Sequence, residues 1–146
     1  MPQVMPVTHT LAQQVLVYEV AHGTPTEPPG QAAVRACEQL RSSFSRFAGV
    51  AGFRSLLARA LNLARQDAPW LAAVEVTADG ALAGFVEGAQ AQDPAAAAAG
   101  GCAILTHFLG LLSTFVGDAL TVRLLADAWP DALFDPPPPG RQENAR

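Results

Sequence analysis

From Pro94 to Val116 the chain contains no Asp, Glu, Lys or Arg. The run reads PAAAAAGGCAILTHFLGLLSTFV, and at helical spacing its apolar side chains wrap most of the circumference instead of forming one stripe. Such a helix must be covered on nearly all sides, either inside a helical domain or in a bilayer. Its start is well marked. The Asp93 carboxylate is placed to accept from free amides of the first turn, and Pro94 gives up an amide that has no partner there. Gly117-Asp118 reads as a C-cap followed by a fresh N-cap, which predicts a break. Helical period then resumes through Leu120, Leu124, Leu125 and Ala128 until Pro130 stops it.

The remaining segments read as cover for this helix. Residues 1–7, with Pro2 and Pro6, form a loose lead-in. Thr8 or Thr10 caps a helix to about His22, with Leu11, Val15, Tyr18 and His22 on one face and Gly23 closing it. The β-prone VLVYEV at 15–20 leaves a strand as the alternative. After the rigid TPTEPPG loop, a helix from Gln31 to Phe47 carries Val34, Cys37, Leu40, Phe44 and Phe47 at three- and four-residue spacing. Gly49 and Gly52 interrupt it, and the period returns through Phe53, Leu57, Leu61 and Ala64, ending before Pro69.

The one β signal lies at 72–86. A two-residue turn at Asp79-Gly80 predicts a hairpin pairing Ala78 with Ala81, Val76 with Ala83 and Val74 with Phe85. Residues 87–92 read as a polar connection. The predicted architecture is mainly α: four to five helices bundled around 94–116, with the small hairpin at 72–86. One domain covers 8–134. The Pro-rich tail, 135–146, is expected to be extended and disordered.

Charge is unevenly distributed. All nine basic residues are Arg, a bias that suggests a GC-rich bacterial coding sequence. Residues 31–66 hold six Arg against Glu38 alone (+5), and the rest holds three Arg against twelve acids (−9), which together return the net −4. The simplest reading is that these Arg solvate outer helix faces. The alternative is that the polarity steers self-association or an acidic partner. A net acidic chain without aromatics interleaved among its Arg argues against nucleic acid. Cys37 and Cys102 lack C-x-x-C spacing and read as free thiols, and MPQVMPVTHT, without a basic region followed by an apolar run, does not read as a signal peptide, so a cytoplasmic protein is expected.

No catalytic motif is present: no G-x-S-x-G, no Walker lysine, no H-E-x-x-H and no zinc-ligand spacing. No cofactor is implied. Gly100, Gly101, Gly110 and Gly117 read as packing glycines. His107, alone in the apolar helix, is the functional candidate; unpaired it would cost ~1–3 kcal/mol, so a bond to a carbonyl or hydroxyl, such as Thr106 or Ser113, is expected. Glu19 and His22 read as a mobile surface pair, and Asp118, Asp127 and Asp131 as no metal site. Gly100, Gly101, Phe108 and Phe115 are the candidate interface residues, because three single-striped helices and a hairpin barely cover the central one. The expected function is a non-enzymatic interaction or oligomerisation module, a small regulatory or adaptor subunit that pairs with itself or with another protein. Two alternatives stay open: a membrane protein anchored by 95–116, and a ligand-binding protein or enzyme using His107.

Overall fold

The structure is a computed structural model that describes residues 4–24, 26–28 and 30–130. The elements run α1 (Val4–His22), α2 (Gln31–Asp67), a 3-10 turn (Pro69–Ala73), β1 (Glu75–Val76), β2 (Leu82–Ala83), α3 (Phe85–Gln90), α4 (Pro94–Val116) and α5 (Asp118–Ala128). The fold is a helical bundle built around α4, with a two-stranded antiparallel sheet at its side.

α4 is central because it touches every other helix. α2 and α1 make most of its cover, and α5 and α3 complete it. Ile104, Leu105, Phe108, Leu109 and Leu112 are fully buried along it. Its start is as expected: the Asp93 carboxylate accepts from the Ala96 amide at 2.8 Å. At its other end Gly117 takes φ 90°, ψ 161° and serves both helices, so Asp118 is the first residue of α5 and not its N-cap. α5 ends at Ala128, just before Pro130.

α1 is helical throughout and settles the question over 15–20. A β-prone run without a partner strand gains more by packing Leu11, Ala12 and Val15 onto α4. It begins at Val4, ahead of the expected caps Thr8 and Thr10. Pro6 does not prevent this, because amides in the first turn have no partner inside the helix. The tail at 135–146, and the beginning of the lead-in, lie outside the described residues.

α2 continues through both predicted helices and breaks only at Gly49 (φ 83°, ψ 162°). The two halves bury Ala33, Ala36, Leu40 and Phe44, then Phe53, Leu57, Ala60 and Leu61. Four aromatic rings knit them to α4. Phe44 lies 6.1 Å from Phe108 edge-on, and Phe53 lies 5.4 Å from Phe108. Phe47 extends the cluster outward, 5.8 Å from Phe44.

The hairpin forms one residue out of the predicted register. Glu75 pairs with Ala83 and Val76 with Leu82, around a three-residue loop, Ala78-Asp79-Gly80. Thr77 organises that loop. Its amide donates to the Ala81 carbonyl at 2.8 Å, its hydroxyl accepts from the Ala81 amide at 3.0 Å and also bonds Asp79, and Gly80 closes it at φ 87°. The slip exchanges the faces of the second strand: Leu82 is buried and Ala83 exposed. Phe85 is not in the strand. It opens α3, which takes up part of the 87–92 stretch expected to be a polar connection, and is completely buried beside Trp70.

Candidate functional site

Among the described residues, an apolar surface feature lies where the kink of α2 meets the C-terminal end of α4. A cleft of about 800 Å³ opens there. Its floor is the outer edge of the aromatic core, with Phe44, Leu56 and Leu112 buried at the base. Its rim carries Phe47, 54% exposed, and Phe115, 76% exposed, with Val50 nearby at 43%. Arg59 and Asn62 are the longer polar side chains along the wall, and no carboxylate of the described residues lines it. Two glycine corners flank the cleft: Gly49 beside Ala48, and Gly117 beside Val116. A concave apolar surface rimmed by exposed aromatic side chains is the kind of feature that interaction surfaces present.

Of the four predicted interface residues, only Phe115 presents itself there. Phe108 is completely buried in the chain's own core. Gly100 faces Trp70, whose indole occupies the volume a Cβ would need and donates to the Ala96 carbonyl at 3.2 Å. A Cβ on Gly101 would lie 2.8 Å from that of Ala33. These glycines let α3, the 3-10 turn and α2 approach α4. Their close contacts lie within the chain.

His107 is not bonded to Thr106 or Ser113. Its Nε2–H donates to the Asp67 carboxylate at 2.8 Å, tying mid-α4 to the end of α2. The imidazole is one-fifth exposed and the carboxylate 60% exposed. Thr106 is instead beside Cys102, and Ser113 donates to Thr121 at 3.2 Å. His107 thus has a structural partner and an oriented ring.

A polar cluster that the sequence did not reveal sits at the other end of the molecule. Glu19 is buried and not a surface residue. Its carboxylate accepts from Arg35 Nε at 3.0 Å and from Trp129 Nε1 at 2.7 Å, and its backbone carbonyl accepts from Arg35 Nη2 at 2.7 Å. Arg35 also grips Glu27 in the following loop. Bonding to Glu27, then to Glu19, holds the Arg35 guanidinium above its ordinary pKa against the opposing effect of desolvation. His22 is not part of this cluster; it donates to the Tyr18 carbonyl at 2.9 Å and stacks on the Tyr18 ring. A shallow hollow of about 440 Å³ adjoins the cluster, but its one carboxylate, Glu27, is already engaged by Arg35. A signal for Glu19 did exist, since Leu11, Val15 and Glu19 fall on one line at four-residue spacing.

The Arg-rich segment is likewise more than a solvated face. Arg65 donates to the Val74 carbonyl at 2.6 Å and the Leu71 carbonyl at 3.3 Å, and Arg54 to the Ala78 carbonyl at 3.1 Å. With Arg35, three of the six are therefore structural clamps. Arg46 and Arg59 remain exposed and without ion pairs among the described residues.

Cys37 and Cys102 are free. Burial pushes the Cys37 thiol up to about 12, and desolvation also raises Cys102 although its contact with Thr106 opposes this. Both are poorly suited to be nucleophiles near neutral pH. Among the described residues, no three His, Cys, Asp or Glu side chains are grouped to hold a metal ion. No protein-family model, curated protein or solved structure matches the chain. The site must therefore be read from its own chemistry, and that chemistry is an apolar cleft.

Proposed function

We propose that this chain is a non-enzymatic protein-interaction module, a small regulatory or adaptor subunit of a bacterial system, and that the cleft between the α2 kink and the end of α4 is its binding surface. One observation carries this reading: Phe47, Val50 and Phe115 stand exposed around a concave apolar floor. Phe is among the aromatic residues enriched at protein interfaces relative to the rest of the surface. The conspicuous polar clusters, Glu19–Arg35–Trp129 and His107–Asp67, are internal ties between helices. Two free thiols fit a cytoplasmic setting. The other readings, an anchor at 95–116 and a ligand site at His107, have no comparable surface feature behind them.

A photo-crosslinking amino acid placed at position 115 in the native cell tests the proposal. Protein adducts are expected at 115 and not at the exposed control position Ala98, on the first half of α4. Equal yields at the two positions, or none at 115, would refute the cleft as a binding surface.

A further inference from the structure

The cleft contains both halves of a self-complementary contact. A protruding aromatic side chain, Phe115, stands next to a hole large enough to receive one, and both are on the same face. An isologous dimer needs this arrangement, because a two-fold axis requires each patch to match itself. A surface shaped only for a different protein needs the hole but not the knob beside it.

The charges near the cleft follow the same pattern. Arg59 lies in the cleft wall and Arg46 on the last turn of α2 before the kink. Asp118 lies just past Gly117 on the other side. All three are exposed, and none makes an ion pair among the described residues. A two-fold axis through a face with opposite charges at its two edges brings unlike charges together, which favours encounter in that orientation. The straight part of α2 beyond the kink, from Ala51 to Arg59, rises ~12 Å, and the turn carrying Arg46 and Phe47 adds to it. Joined to the end of α4, it is long enough for the ~600–800 Å² per protomer of an ordinary dimer contact.

We infer that the occupant of the cleft is a second copy of this chain, each copy seating its Phe115 in the cleft of the other about a two-fold axis, with Asp118 of one facing the Arg46–Arg59 edge of its mate. This rests on the reading of the cleft as a binding surface and specifies what fills it.

Light scattering and sedimentation of the purified full chain at micromolar concentration test it. The expected mass is twice 15.2 kDa. Phe115→Asp should weaken the dimer by about 30-fold or more, as loss of a central apolar contact does, while the far-ultraviolet circular-dichroism spectrum stays that of the folded helical chain, because the residue is exposed in the single chain. Asp118→Arg should weaken it less. Val17→Asp, an exposed apolar position on α1, should leave it intact. Overturning results are a monomer at every concentration up to 100 μM, or a dimer broken by Val17→Asp and not by Phe115→Asp. If the chain is monomeric while the probe at position 115 captures a different protein, the second-copy inference fails and the interaction-module reading stands. If the probe captures nothing, both fail.

Discussion

At the scale of single residues, the least expected structural role belongs to Glu19. It ties α1 to α2 through Arg35 and to the end of α5 through Trp129, a partner 110 positions away. Glu19→Ala would leave the indole N–H without an acceptor and Arg35 with Glu27 as its remaining carboxylate. Breaking a fully buried pair costs ~3–5 kcal/mol. Arg35 keeps 30% of its side chain exposed, so water screens part of the loss and ~2–4 kcal/mol is expected. Glu19→Gln, which retains an acceptor for Trp129, should lose less. Urea unfolding measures both, and an alanine variant within 0.5 kcal/mol of the parent would show that the cluster does not hold these helices. The carboxylate was legible as a member of the Leu11–Val15 line. Its partners were not, because helical period places residues on a face without saying which distant side chain meets them. The same limit explains His107: its isolation in an apolar helix was evident, and Asp67 as its partner was not.

At the scale of elements, the helix ends were the most readable features. Asp93-Pro94, Gly117 and Pro130 each mark a boundary by local chemistry alone. Register was harder: the hairpin slipped by one residue because Thr77 bonds across a three-residue loop and the larger Leu82 takes the inward position. The kink in α2 is a local feature whose consequence is global. At φ 83°, ψ 162°, Gly49 occupies backbone space that essentially only glycine enters, and Gly117 repeats that conformation. A Cβ at either position would meet nothing within 4 Å, so substitution acts through the backbone and not through crowding. Gly49→Ala and Gly117→Ala should each destabilise by ~1–3 kcal/mol, lowering the melting temperature by several degrees. Thermal melts that leave either variant within about a degree of the parent would mean that this corner is not held in the folded protein. The pair of exposed glycines had appeared in the sequence as interruptions; that two of them bracket one cleft required the tertiary arrangement.

At the scale of the whole molecule, the decisive question is what covers α4. By length and composition this helix passes as a candidate membrane span, and the core helix of a soluble protein passes the same test. Half of its most apolar window is buried within the chain. The cover comes from α1, both halves of α2, and α5, with Trp70 and Phe85 closing over the glycines at its N-terminal half. A span in lipid would need those apolar stripes turned away from it and the Phe44–Phe53–Phe108 cluster taken apart. No Arg or Lys directly adjoins the run to anchor it at an interface; the nearest is Arg123, within α5. The sequence showed that α4 needed neighbours on nearly all sides and did not show that one chain supplies most of them. Gly100 and Gly101, expected to face a partner, are where that supply is closest. The expected outcome is that the protein, produced without detergent, remains in the supernatant after ultracentrifugation and does not float with phosphatidylcholine–phosphatidylglycerol vesicles. Recovery of nearly all of it in a carbonate-resistant membrane pellet would mean that α4 leaves its helical cover for lipid, and the cleft beside Phe115 would then have to be read as part of a lipid-facing surface.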